Sequence, residues 1–321
     1  MLPKHPADYR TLLWTLILTP GLVVAHYVRP DLRWVLFPFS MYFAVSCAVI
    51  AHNHMHRPTL KTKKANQLFS HWISVFYGYP VFAWTPTHNL NHHKYINKHG
   101  DATITWRITN KHNVLVASTY FFVSAYYQGF WIKDFIRQAK ERNPALYRRI
   151  ITQYVVTYGS HVAMAGLAIG IYGVAEGLKT YVFGLGIPAF FALWTVMLFN
   201  YSQHVHTDPW YEHNHSRNFT GKFLNFLLFG NGYHTVHHNQ ANLHWADAAA
   251  AHDKIKDKID PRLNHRSMWW FFFQQHFLAL FIPSLGTVQV GRAPFDCPEE
   301  DRQADAPELV DVQAATAGGQ I

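Results

Sequence analysis

Four stretches of this sequence run for 17 to 25 residues without an Asp, Glu, Lys or Arg: 11–28, 34–50, 150–174 and 181–201. Crossing a bilayer takes about 20 mostly apolar residues, and in hydrocarbon a helix satisfies its own backbone polar groups. The four stretches therefore predict four transmembrane helices in two hairpins, an all-α integral membrane protein. The first resembles a signal peptide, but it lacks a clear small-residue cleavage site and a second apolar run follows after five residues, so an anchored hairpin is the expectation. Charged residues make up 15 % of the chain, against about 25 % in soluble domains, which argues against an ordinary soluble enzyme. Residues 68–86, 113–132 and 269–283 are apolar but aromatic-rich, polar-flecked or short. They predict segments that lie along the membrane interface.

Basic residues set the orientation. Residues 52–149 hold 14 Lys or Arg against three acids, whereas the turns between the paired stretches hold only Arg29, Asp31 and Arg33, and Glu176 and Lys179. The positive-inside rule puts the large loop, both termini and the segment after 201 in the cytosol, as in a bacterial inner membrane. The net charge of +9 divides into −6 for residues 296–321, with seven acids and Arg302, and +15 for the rest. Topology and anionic lipid account for that basic surplus without any nucleic acid; a docking surface for an acidic electron carrier or acyl carrier is the sharper reading. The chain thus divides into a membrane domain over 1–295 and an acidic tail over 296–321 that is expected to be disordered. Two cysteines, Cys47 and Cys297, exclude a disulfide scaffold, a four-cysteine zinc site and a built-in ferredoxin or rubredoxin module.

The 23 histidines outnumber the 19 acids, and many of them cluster. His52-Asn-His-Met-His56 follows the second apolar stretch. His88-Asn-Leu-Asn-His92-His93 lies in the large loop. Asn200-Tyr-Ser-Gln-His204 leaves the fourth stretch, and His234-Thr-Val-His237-His238 follows. Residues three or four apart share a helix face. His52 and His56 should then point together, as should His88, His92 and His93, then Asn200 and His204, then His234, His237 and His238. His54 sits about 200° from His52 on an ideal helix and should face away. A single histidine is usually a solvated or hydrogen-bonded residue, but four groups at the membrane boundary need partners or a metal. His206, His213, His215 and His244 are candidates to support the ligands. His5, His26, His71, His99, His112, His161, His252, His265 and His276 read as structural or surface residues.

Imidazole suits zinc, iron, copper or nickel. Nine histidines are too many for one ion and about right for two. There is no His-Glu-x-x-His, so a metalloprotease would lack its base, and no carboxylate in the spans, which counts against a metal or proton transporter. A histidine-held pair of redox metals beside a bilayer fits O2 chemistry on a lipid-like substrate.

The ordered boxes His-x3-His, His-x3-His-His and His-x2-His-His, with Asn-x3-His before the third, resemble the membrane fatty acid desaturase and hydroxylase superfamily over roughly residues 52–244, bacterial acyl desaturases most of all. The resemblance implies a cytosolic helical cap that carries the boxes and two non-haem irons. The ligands it implies are His52, His56, His88, His92, His93, His204, His234, His237 and His238, with Asn200 bound through water. Box three begins with His rather than the Gln of front-end desaturases, and no cytochrome b5 motif His-Pro-Gly-Gly is present. Electrons are therefore expected from a separate ferredoxin, rubredoxin or cytochrome b5 with its reductase. The implied reaction is O2-dependent oxidation of an unactivated C–H bond in a fatty acyl chain carried by CoA, acyl carrier protein or lipid. Formation of a cis double bond is the expected outcome. Hydroxylation, acetylenation and decarboxylation to a terminal alkene are the alternatives in the same fold, and a membrane metal-binding or transport protein is the remote one.

Overall fold

A computed structural model describes residues 2–296 and Val312. The expected disorder of the acidic tail falls, beyond Asp296, outside the described residues; Val312 is described there, helical and buried. The described chain is almost wholly helical, with one two-residue parallel pairing of Asn218–Phe219 with Asn264–His265. In chain order the main helices are α1 (Asp8–Val28), α2 (Arg33–His56), α3 (Lys63–Tyr77), α4 (Thr85–His92), α5 (Val114–Arg142), α6 (Pro144–Tyr181), α7 (Ile187–His204), α8 (Lys222–Leu227), α9 (His234–Asn239), α10 (Ala248–Ile255) and α11 (Met268–His276). They fall into two compact units. Among the described residues the first draws on 2–84 and 136–196, the second on 85–135 and 197–296.

Among the described residues three helical runs are long and apolar enough to cross a membrane: Asp8–Val28, Pro30–His56 and Pro144–His204. The predicted stretches 150–174 and 181–201 both lie in the third run, which is 61 residues long. It is not one straight rod. Gly173 leaves helical geometry at φ 75°, ψ 172°, where only glycine sits without strain. Beyond it the chain doubles back, because a Cβ on Gly177 would lie 2.5 Å from the Ile169 Cα. Residues eight apart in a straight helix are separated by about 12 Å. The interface-type stretches 68–86 and 113–132 contain most of α3 and the first part of α5, neither of which is among the three runs.

In the first unit several polar groups of the apolar helices find partners. Pro20 has no N–H to continue the α pattern, and α1 widens just before it into π-helix over Leu13–Leu18. The Thr19 N–H reaches back to the Trp14 carbonyl, and the Trp72 indole N–H of α3 donates to the Thr15 carbonyl at 2.8 Å. Further along, the Tyr27 hydroxyl donates to the Met164 carbonyl at 2.8 Å. His161 bridges the Val75 carbonyl (2.9 Å) and the Tyr181 hydroxyl (3.0 Å). A polar side chain between apolar helices needs such partners.

In the second unit α11 buries Met268, Phe271 and Gln275. The Gln275 amide donates to the His112 carbonyl and accepts from the Thr287 N–H, both at 2.7 Å. The opposite side shows Trp269, Trp270 and Phe273, and the chain beyond it Phe277, Leu280, Phe281 and Ile282, all exposed by 45 % or more. With nine residues α11 is too short to cross a bilayer.

The reversal at Gly173 predicts a position-dependent cost. Gly177→Ala should destabilise the protein by about 1–3 kcal/mol, because its methyl meets backbone. Gly166→Ala, which meets nothing within 4 Å, should be neutral or slightly stabilising. Thermal unfolding of both variants in detergent measures the difference.

Candidate metal centre

Box two is wound as a π-helix. α4 has π geometry over Thr85–His92, so residues five apart come into line. His88 and His93 meet, with Nε2 atoms 3.2 Å apart. The His237 Nε2 lies 3.3 Å from that of His88 and 3.0 Å from that of His93. His92 turns to a different set. Its Nε2 is 3.1 Å from the His204 Nε2, which is 2.9 Å from that of His234. The His238 Nε2 is 3.2 Å from both. The second unit thus holds a triad (His88, His93, His237) and a tetrad (His92, His204, His234, His238), the tetrad with its ligand atoms all within 4.8 Å of one another. The rings of His88, His92 and His93 lie together as the box spacing predicts, with centroids 4.7–6.2 Å apart, while their Nε2 atoms serve the two different sets. Box three divides in the same way: His234 and His238, one turn apart on α9, join the tetrad, while His237 joins the triad.

The outer nitrogens decide what the inner ones can do. His92 Nδ1 is 2.7 Å from Asp101 Oδ2, and both side chains are fully buried. The Asp101 carboxylate also accepts from the Asn97 N–H, the Thr103 N–H and the Thr103 hydroxyl. Burial by itself would raise the Asp101 carboxyl, but the His92 imidazole and the Thr103 donors hold it below its ordinary value. A carboxylate only accepts, so His92 Nδ1 carries the proton. His204 Nδ1 faces the His215 carbonyl at 3.0 Å and must also be the donor. A neutral imidazole has one N–H. The Nε2 atoms of His92 and His204 are then bare lone pairs, aimed at each other across 3.1 Å. Burial, with His93, His234, His92 and His204 around it, pushes His238 well below its ordinary pKa and keeps it neutral.

One proton could bridge one of the tetrad's four close contacts but not all of them. A cation at their centre satisfies all four at once. Separations of 2.9–3.2 Å are those of nitrogens each about 2.1 Å from a shared ion and roughly at right angles. The residues fit a metal ion, and an all-imidazole donor set suits iron, zinc, copper or nickel.

The remaining predicted residues fall as follows. His52 and His56 sit one turn apart at the end of α2 in the first unit, with ring centroids 5.0 Å apart. His54 is committed to hydroxyls, Nδ1 to Thr59 at 3.0 Å and Nε2 to Ser70 at 3.1 Å. Asn200 lies one turn before His204 on α7 and donates to the Tyr120 hydroxyl at 3.0 Å; Tyr120 in turn donates to the Thr103 carbonyl. His215 supports His204 through its backbone carbonyl, while its ring meets Asn239 at 2.9 Å and burial pushes it to about 4. His206 bonds to Thr287 and the Asn110 carbonyl. His244 accepts from the Ala246 N–H, and His213 lies 3.8 Å from the Glu212 carboxylate. Sequence reasoning missed Asp101, although it is the sole acid between His52 and Lys133. A lone acid in a basic, histidine-rich loop was the available signal.

A family model described as fatty acid desaturase matches residues 32–283. No curated protein and no solved structure matches the chain. The match takes in the box-two π-helix, Asp101, Asn200 and both histidine groups of the second unit, and it covers most of the sequence: the chain belongs to the fatty acid desaturase family.

Proposed function

We propose that this chain is a di-iron oxidoreductase that uses O2 and two external electrons to oxidise an unactivated C–H bond of a fatty acyl chain, with a cis double bond as the product. The observation that carries this reading is the pair of opposed lone pairs on His92 and His204, inside four buried or half-buried imidazoles. The tetrad would hold one iron. The triad would contribute to the second, to which the box pattern also assigns His52 and His56, with Asn200 bound through water. Bound iron supplies the oxidising power for C–H cleavage, which no side chain has. The chain's own residues set its surroundings. Asp101 and the His215 carbonyl fix the tautomers of His92 and His204 and make them better donors. Tyr120 takes one amide proton of Asn200 and so orients the amide with its oxygen available to a water. Full burial of His92 and His204 keeps bulk water from that side of the site.

The Pro144–His204 run counts as two crossings in this reading, with the reversal at Gly173, which makes four with α1 and α2. The boxes and both termini then face the cytosol, and α3, α5 and the aromatic side of α11 lie along the interface. Electrons come from a separate ferredoxin, rubredoxin or cytochrome b5, and the acyl group arrives on CoA, acyl carrier protein or lipid.

Three outcomes test the reading. Purified enzyme should carry two irons per chain. His204→Ala or His238→Ala should lower that to roughly one and abolish turnover. Asp101→Asn should weaken iron binding about 10–100-fold. His54→Ala should keep both irons and cost only about 1–3 kcal/mol of stability, from its two unpaired hydroxyls. Iron analysis and chelator titration read all four variants, and an active enzyme with zinc and no iron would refute the proposal. For the product, mass spectrometry of lipids from an expressing host should show acyl chains lighter by two mass units; a gain of sixteen would assign hydroxylation instead. For topology, Lys94→Cys and Lys222→Cys should label from the same side of the membrane. Labelling from opposite sides would rule out a shared metal site.

A further inference from the structure

Arg217 is a buried cation without an anion. Its side chain is 1 % exposed, no carboxylate among the described residues pairs with it, and its Nε has no partner. Taking a guanidinium out of water is costly unless something replaces the lost solvation. Here the replacement is the end of α7. A helix leaves its last four carbonyls without intrahelical partners, and they carry the negative end of its dipole. In α7 those carbonyls belong to Tyr201, Ser202, Gln203 and His204. The Val205 N–H takes Tyr201. The Arg217 Nη1 takes Ser202 at 2.5 Å and also the Val205 carbonyl at 3.1 Å. The Arg217 backbone N–H takes Gln203 at 2.6 Å. The Asn97 amide and the Thr207 hydroxyl take His204. One residue thus closes two of the four carbonyls and clamps the turn just beyond. The guanidinium lies 5.1 Å from the centre of the buried Phe271 ring, which limits its freedom to move away. Burial lowers it to about 9, which leaves it charged near neutral pH.

We infer that Arg217 is a positioning residue for the metal ligand His204: by locking the final turn of α7 it fixes the direction in which the His204 Nε2 meets the other three imidazoles. This rests on the metal reading of the tetrad. A helix end can be closed by water or a neutral side chain. A charged group whose one nitrogen, Nη1, bonds the carbonyls on both sides of a ligand restricts the ligand's position as well as satisfying the backbone. Lys carries a compact, strongly hydrated ammonium on a stem one atom too short to place it at Nη1, and it lacks the planar group that lies against Phe271.

The test uses full-length enzyme purified in detergent, with Arg217→Lys and Arg217→Met compared with the parent. The readouts are iron per chain, the rate of iron transfer to a ferrous chelator, the thermal midpoint, and kcat and KM for the acyl substrate. Arg217→Lys should fold with its charge kept, lose iron to the chelator about tenfold faster, and show a lower kcat with KM unchanged. Arg217→Met, where it folds, should lose iron faster still. Parental release rates and kcat in the Lys variant, even with a lowered thermal midpoint, would mean that Arg217 only supports the fold and would overturn the inference. A parent enzyme without iron would overturn the metal reading and this inference with it.

Discussion

The tetrad depends on two hydrogen bonds made on the far side of its imidazoles. His92 gives its one proton to Asp101, and His204 gives its proton to the His215 carbonyl. Each commitment turns the inner nitrogen into an acceptor, and the fold then presses these acceptors to 3.1 Å. Left without a cation, that arrangement is repulsive. The contacts that enforce it therefore have to be strong, and they are. Asp101 is buried and receives four donors, and Asn97 links the Asp101 loop to the His204 carbonyl. Local stability goes into holding four imidazoles in place, the arrangement that tight and selective metal binding would require.

Much of this was legible in the sequence. Long uncharged runs identify apolar helices whatever their packing, because the bilayer constraint acts on composition. The histidine groups were legible because imidazoles at turn spacing have no packing purpose. What could not be read was the winding. An ideal α-helix puts His88 beside His92, where its ring indeed stacks, and the π geometry over Thr85–His92 also brings the His93 Nε2 to that of His88. His54 was easier, because its place on the far side of α2 followed from angle alone, and Thr59 and Ser70 are there to receive it.

Asp101 and Arg217 escaped for different reasons. Asp101 was conspicuous as a lone acid, but the distance of nine residues from His92 bridges an irregular loop and corresponds to no helical period. Arg217 looked like one more cation of a basic chain. Its role becomes visible only when the carbonyls at the end of α7 are assigned donors one by one, which requires coordinates. The 61-residue run is the opposite case. The sequence divided it into two stretches, and the reversal at Gly173 falls between Tyr172 and Val174, inside the first of the predicted segments.

Deleting the long apolar helices would not yield a water-soluble fragment. The second unit keeps Trp269, Trp270, Phe273, Phe277 and Phe281 on the outside of α11 and the turns after it. No charged residue interrupts the chain from Met268 to Val290. An apolar area of that kind on a free domain drives self-association. Truncated forms would therefore be expected to aggregate or to copurify with detergent, and the histidine-rich unit must be handled as a membrane protein in its own right.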